Sequence, residues 1–102
     1  MNLFELSSEA QLDVQRIRRF SIQQWGVAQT DNYLKTLKGS FALLADNPKL
    51  GVHRPDVKEG VHSFPCQSHI IYYVAKEKKI IIFAVLHKHM SPKQHLPERS
   101  PS

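Results

Sequence analysis

The chain of 102 residues is poor in cysteine and contains no long hydrophobic run. Its single cysteine, Cys66, excludes an internal disulfide and a cysteine-rich zinc site, and it gives no reason to expect an oxidising compartment. No apolar stretch is long enough to span a bilayer, and residues 1–5 lack the basic and apolar regions of a signal peptide. We therefore expect a cytoplasmic protein that is neither exported nor embedded in a membrane.

The residues that are present suffice for one hydrophobic core and carry an excess of positive charge. Hydrophobic residues make up 41% of the chain, and Lys and Arg number 14 against 9 Asp and Glu, for a formal charge of +5. We expect one domain over 1–96 and a disordered tail over 97–102. The charge favours anionic partners such as nucleic acid or an acidic polypeptide, although a need for solubility explains it equally well.

The order of the periodic segments predicts an α+β fold. A short alternation at 3–6 predicts an edge strand, and helical apolar spacing from Ser8 to Asp46, broken at Gly26, predicts an antiparallel helical hairpin. The stretch 49–60 lacks an apolar period and is predicted to be a loop. Strands are then predicted at 61–64, 69–74 and 80–86. The order is β-α-α-β-β-β, with the hairpin across one face of a largely antiparallel sheet.

Short motifs recur along almost the whole chain. They are Ser7-x-Glu9-Ala10-x-x-Asp13, Trp25-Gly26, Tyr33-x-x-x-Leu37, Leu44-Ala45-x-x-Pro48-x-Leu50-Gly51, His69-Ile70-Ile71-Tyr72-Tyr73 and Leu86-His87-x-x-Met90. Each motif is weak alone, but their order and spacing together resemble a ParE-type toxin of the RelE/ParE superfamily. The chain differs from that pattern at His89, where relatives often have arginine, and at Ser91, where they often have an acidic residue.

The resemblance implies the toxin of a bacterial type II toxin-antitoxin pair, which inhibits DNA gyrase and blocks replication until a cognate antitoxin neutralises it. It implies action by binding, with no catalytic residue and no cofactor. Our candidates for binding the target are the basic and imidazole side chains Arg54, His62, His69, His87, Lys88 and His89. For the antitoxin, the resemblance implies the groove between the hairpin and the sheet. Edge strands with open backbone groups add the candidates Leu3, Phe4, Val61 and Phe64.

Alternatives remain open at this point. A ribosome-dependent messenger RNA endoribonuclease of RelE type would need a base and cations, for which His87, Lys88 and Arg54 are candidates. The C-terminal end lacks the tyrosine that such nucleases often carry, which favours the gyrase inhibitor. A third hypothesis is a binding module that has lost toxicity, which the departures at His89 and Ser91 permit.

Other ligands are less expected. His87 and His89 would share one face of a strand, but a third ligand is not evident, so we predict no metal site. The sequence contains no recognition-helix motif and no RNA-binding aromatic signature, so we expect no direct DNA binding by the chain alone.

Two single residues invite both a functional and a structural interpretation. Trp25 could anchor a partner, but its helical phase with Ile17 and its neighbour Gly26 favour a plug that closes the hairpin. Cys66 could be a nucleophile, but a lone cysteine among scattered histidines is commonplace, and we predict that it packs in the core.

Overall fold

The computed structural model describes residues 3–100 and contains a five-stranded sheet with a helical hairpin on one face. The predicted α+β class, with a strand, a hairpin and then strands, is confirmed. The tail predicted to be disordered, 97–102, includes residues 101 and 102, which lie outside the described residues, and Arg99, which forms an ion pair with Asp13. In chain order the elements are β1 (Leu3–Leu6), α1 (Ser8–Trp25), α2 (Val27–Asp46), β2 (Val52–His53), β3 (Val61–Cys66), β4 (His69–Ala75), β5 (Lys79–His87) and α3 (Pro92–His95).

Ser7 and Gly26 set the start of α1 and the break between α1 and α2. Ser7 caps α1, because its hydroxyl oxygen accepts the backbone N–H of Ala10 at 3.1 Å. Gly26 separates α1 from α2 with a φ of +84°, in the left-handed region that favours glycine. The predicted break at Gly26 is confirmed.

The sheet has the strand order β1-β5-β4-β3-β2. β1 pairs in parallel with β5, and the other neighbours are antiparallel. The prediction that 3–6 forms an edge strand is confirmed. The prediction of an edge at Val61–Phe64 was wrong over part of that strand, because β2 pairs with His62 and Ser63 and itself forms the second edge.

Both faces of the sheet are covered. On one face α1 and α2 pack their buried stripes, including Ile17 and Phe41, against Tyr73 and its neighbours. On the other face the segment that follows β2 and the C-terminal segment bring Val57 and Leu96 against the sheet. Within residues 3–100, no helix is both long and apolar enough to cross a membrane.

Candidate functional site

A cleft of about 440 Å³ opens between α1 and the sheet, where β5 ends and β4 begins. We call it the β5-end cleft. At this rim of the sheet the antiparallel register of β4 and β5 places His69 opposite His87. Its lining residues come from α1, the β3–β4 turn and the end of β5, and they are Asp13, Arg16, Ile17, Phe20, Ser21, Trp25, Ser68, His69, Val85, Leu86, His87 and Met90.

A chain of ring contacts runs along one side of this cleft. The indole of Trp25 stacks on Tyr33 at 6.1 Å between ring centroids, and Tyr33 meets the edge of His69 at 5.6 Å. The imidazole of His69 lies 5.5 Å from that of His87, which in turn lies 5.1 Å from His89. These contacts join one wall out of residues from five parts of the chain, namely α1, α2, β4, β5 and the segment after β5.

Hydrogen bonds fix the centre of this wall. The backbone N–H of Ser68 donates to the Tyr33 hydroxyl at 3.2 Å, and that hydroxyl lies 2.5 Å from Nδ1 of His69. Burial, reinforced by nearby His87, lowers the pKa of His69 from 6.5 to about 4. Burial also raises the pKa of the Tyr33 hydroxyl. At neutral pH, therefore, the Tyr33 hydroxyl keeps its proton and the His69 imidazole that it contacts is uncharged.

The rim of the cleft is basic. Among its lining residues the acidic side chain is Asp13, whose carboxylate forms an ion pair with Arg99 at 2.6 Å. The sequence stretches that supply the other walls, 14–30, 60–76 and 78–97, contain no Asp or Glu. Arg16 lines the cleft and is exposed, and Lys88, which follows His87 in the sequence, is exposed as well. Apolar lining residues next to positive charge are complementary to a ligand whose apolar group lies close to a negative charge.

The structure brings together only part of the predicted target-binding set. His69, His87, Lys88 and His89 lie at the end of β5 or beside it. His62 lies elsewhere along the sheet, stacked on Tyr73 at 5.6 Å.

Arg54 is on the opposite face of the sheet from His87. Its guanidinium donates to Asp56 at 3.0 and 2.9 Å and sits 6.0 Å from the ring centre of Tyr72, which belongs to the face away from the helices. His87 lines the cleft on the helix side of the sheet, whereas Arg54 lies with Tyr72 on the other side. The predicted nuclease set of His87, Lys88 and Arg54 is therefore not brought together at one place, because side chains on opposite faces of a sheet cannot meet around one phosphate.

The predicted antitoxin-binding residues also divide in two. Leu3 is 64% exposed and Phe4 is 37% exposed on the open edge strand β1, where Phe4 also contacts Phe41 of α2. Val61 is fully buried in the core on the face away from the helices, so its side chain is not accessible, and Phe64 is partly buried against the helix-side core. The accessible candidates are those on β1.

Sequence reasoning missed part of the cleft. Phe20 and Met90 line it, although Met90 belongs to a motif that could have indicated this. Trp25, the last residue of α1, stacks on Tyr33 of α2 as a plug that closes the hairpin would, but the residue stays 46% exposed. Cys66 is buried, as predicted. Within residues 3–100, no three His, Cys, Asp or Glu side chains are placed to hold a metal ion.

Comparison with known proteins gives consistent matches over nearly the whole chain. The sequence model of a family described as "ParE toxin of type II toxin-antitoxin system, parDE" matches residues 4–92. Toxin ParE1 of Caulobacter vibrioides is 29% identical over 96 residues, which cover 94% of this chain and 99% of that protein. Toxin ParE1 of Mycobacterium tuberculosis is 30% identical over 92 residues, covering 89% and 94% respectively.

A solved structure is similar as well. A chain of the "Chromosomal ParDE TA system from P. aeruginosa" superimposes with a TM-score of 0.73 at 17% sequence identity. The match covers 85% of this chain and 96% of that chain. At this level of identity the likeness establishes a shared fold.

Proposed function

Because this chain belongs to the family of ParE toxins of type II toxin-antitoxin systems, we propose that it inhibits DNA gyrase and that a cognate antitoxin neutralises it. The observation that carries the proposal is the family match over residues 4–92. Blocked gyrase would stop replication, so the toxin would act in the cytoplasm, where gyrase and the antitoxin are present.

The geometry favours inhibition by binding over cleavage of RNA. The cations and the base that a nuclease needs would have to meet around one phosphate, but Arg54 and His87 lie on opposite faces of the sheet. His69 has a pKa of about 4, so it is a weak base and carries no positive charge at neutral pH. We therefore assign the side chains at the end of β5 to contact with a protein target.

The open edge of β1 supports an antitoxin site. The side of β1 that faces away from β5 has no strand neighbour among residues 3–100, and a partner strand could complete its backbone hydrogen bonds. Leu3 and Phe4 offer apolar side chains beside that edge. An antitoxin segment that adds a strand here would cover both.

The test is a plasmid supercoiling assay with purified gyrase, to which the chain is added alone and with its antitoxin. Programmed ribosomes with messenger RNA are tested with the same preparation. We expect loss of supercoiling or trapped cleaved DNA, reversal by antitoxin, and intact messenger RNA. Cut messenger RNA with unaffected gyrase would contradict the proposal and support the endoribonuclease.

The antitoxin site has its own test. Leu3→Asp places a charge on the edge of β1, and we expect it to weaken antitoxin binding about tenfold or more while gyrase inhibition is retained. Val52→Asp makes the same change on the other edge strand, where Val52 is also exposed, and serves as the matched control. Equal effects of both variants on antitoxin affinity would contradict a specific site at β1.

A further inference from the structure

We propose that His53 of β2 and His62 of β3 form a binding site for a divalent transition-metal ion such as Zn²⁺ or Cu²⁺. We call these two residues the histidine pair. The inference goes beyond the proposed function and does not depend on it. It gives the short strand β2 a metal-dependent tie to the rest of the sheet.

The fold brings the two imidazoles together. His53 and His62 are direct partners in the antiparallel register of β2 and β3, and their ring centroids lie 5.2 Å apart with an interplanar angle of 34°. At the next position along, the backbone N–H of Arg54 donates to the carbonyl of Val61 at 2.7 Å. Because two kinds of residue pair alternate along an antiparallel ladder, the histidine pair is of the non-hydrogen-bonded kind, in which opposite side chains lie closer.

A nitrogen atom of the pair lacks a partner. Nδ1 of His62 is buried and accepts or donates no hydrogen bond within residues 3–100. In the histidines at the end of β5, by contrast, Nδ1 of His69 contacts the Tyr33 hydroxyl and Nδ1 of His87 accepts the N–H of His89. A buried polar atom that is left unsatisfied is costly, and in a folded protein it indicates a bound water molecule or ion. A metal ion that bridges the two rings would supply this partner.

The spacing of the rings suits one metal ion. Two nitrogen atoms bound to a tetrahedral Zn²⁺ at about 2.0–2.1 Å are roughly 3.4 Å from each other. Ring centroids 5.2 Å apart allow this separation, because the nitrogen atoms lie at the edges of the rings. Within residues 3–100 no third His, Cys, Asp or Glu completes a metal-binding group, so water fills the remaining positions. His62 borders a surface cavity of about 660 Å³, through which water reaches it.

The ligand atoms select the kind of ion. Imidazole nitrogen suits Zn²⁺, Cu²⁺ and Ni²⁺, and a given nitrogen site generally binds Cu²⁺ more tightly than Zn²⁺. Mg²⁺ prefers oxygen ligands, which the histidine pair does not offer. We therefore expect the affinity to fall from Cu²⁺ to Zn²⁺ and to be unmeasurable for Mg²⁺.

One ligand is held in place and the other can adjust. The ring of His62 stacks on Tyr73 at 5.6 Å, and the Tyr73 hydroxyl is fixed by the N–H of Gly51 and the carbonyl of Pro48. His53 is exposed on the edge strand β2, so its ring can turn towards a bound ion without disturbing the core. A site with one ligand already oriented loses less entropy when it binds.

A bound ion would strengthen this edge of the sheet. β2 has two residues, both exposed, and residues 54–60 connect it to β3. An ion that joins the two strands closes this connection, and an ion that binds the folded form more tightly than the unfolded chain stabilises the fold. The histidine pair would therefore act as a metal-dependent clip on β2.

Isothermal titration calorimetry with Cu²⁺, Zn²⁺ and Mg²⁺ tests the inference on the full chain, produced without a histidine tag. His53→Gln removes one ligand at an exposed position. His89→Gln is the matched control, because it removes an exposed imidazole from another close pair, in which the centroids of His87 and His89 are 5.1 Å apart. Electron spin echo envelope modulation counts the imidazoles bound to Cu²⁺, and thermal melting without metal verifies that each variant is folded.

We expect His53→Gln to weaken the binding of Cu²⁺ and Zn²⁺ about tenfold or more, and His89→Gln to change it less than about twofold. The unchanged protein should show two imidazoles on Cu²⁺, and His53→Gln should show one. Free Zn²⁺ at about a hundred times its Kd should raise the melting temperature of the unchanged protein by about 4 °C or more. The same Zn²⁺ concentration should raise that of His53→Gln much less.

Three results would overturn the inference. If the unchanged protein binds neither Cu²⁺ nor Zn²⁺, a water molecule is the partner of His62 Nδ1. Equal losses of affinity in His53→Gln and His89→Gln would show adventitious binding to surface histidines. A loss in His89→Gln alone would place the metal at the end of β5. Each of these results leaves gyrase inhibition and antitoxin binding untouched, because the supercoiling assay tests them separately.

Discussion

The guanidinium of Arg99 binds the carboxylate of Asp13 through two hydrogen bonds, of 2.6 and 3.0 Å, between residues 86 positions apart in the sequence. Asp13 also accepts the backbone N–H of Val85 at 3.0 Å, and Arg99 donates to the carbonyl of Phe83 at 3.2 Å. The bond to Asp13 raises the pKa of Arg99. One ion pair thus joins the C-terminal segment to α1 and β5 behind the cleft.

Removing Arg99 should destabilise the protein strongly. Arg99→Met leaves Asp13, whose side chain is 6% exposed, without its cation, and loss of one partner from a buried pair costs about 3–5 kcal/mol. The free energy of unfolding is measured by urea denaturation. As a control, Lys79→Met removes an exposed pair with Glu5 and should cost less than about 1 kcal/mol. Similar losses for the two variants would contradict a buried, stabilising role for the Arg99 pair.

Gly51 should not tolerate a side chain. A Cβ atom there would lie 2.5 Å from the Tyr73 hydroxyl, which accepts the Gly51 N–H at 3.0 Å and donates to the Pro48 carbonyl at 2.8 Å. We expect Gly51→Ala to lower the free energy of unfolding by about 1–3 kcal/mol. The opposite is expected of Gly39→Ala, because Gly39 lies inside α2 with open space around it, and alanine there should add about 0.5–1 kcal/mol.

Stability should fall as the pH drops from neutral towards 4. Burial and His87 lower the pKa of His69 from 6.5 to about 4, so between these values the unfolded chain binds a proton that the folded chain does not. The contribution of His69 to the free energy of unfolding is therefore fully present above pH 6.5 and is lost as the pH falls to 4. Because the ring is only partly buried, we expect a loss of about 1 kcal/mol between pH 7 and 4.5.

This pH effect can be isolated by substitution. His69→Gln retains a polar group beside Tyr33 but cannot titrate, so its unfolding free energy should depend less steeply on pH than that of the unchanged protein. His95→Gln makes the same change at an exposed imidazole and serves as the matched control. Parallel pH profiles for His69→Gln and the unchanged chain would show that His69 is not the group responsible.

The elements with strong periodic signals could be predicted from the sequence. The helical hairpin follows from apolar spacing and from Gly26, and the last two strands follow from runs of β-branched and aromatic residues. β2 gave no such signal, because Val52 and His53 are both exposed and only two residues pair. β2 forms because it pairs with β3, and a pattern read from residues 52–53 alone holds no information about that pairing.

The cleft was harder to predict, because its residues meet only after folding. His69 and His87 are opposite each other through the register of β4 and β5, and the register shift at Tyr72 and Tyr73 alters the face on which later side chains lie. The phase of α1 correctly placed Ile17 in the core, but it could not reveal that the helix carries Trp25 to the rim. Tertiary position decided that outcome.

Cys66 should react slowly with thiol reagents in the folded protein. Its side chain is packed in the helix-side core, and its sulfur accepts a hydrogen bond from the Ser40 hydroxyl at 3.3 Å. Since a reagent reaches it only when this part of the core opens, labelling with dithionitrobenzoate should be at least about tenfold slower than in denaturant. Arg99→Met, which weakens the fold without touching Cys66, should speed native-state labelling, whereas Lys79→Met should not. Rapid labelling of the unchanged native chain would mean that Cys66 is accessible and that the core around Ser40 is looser than its packing indicates.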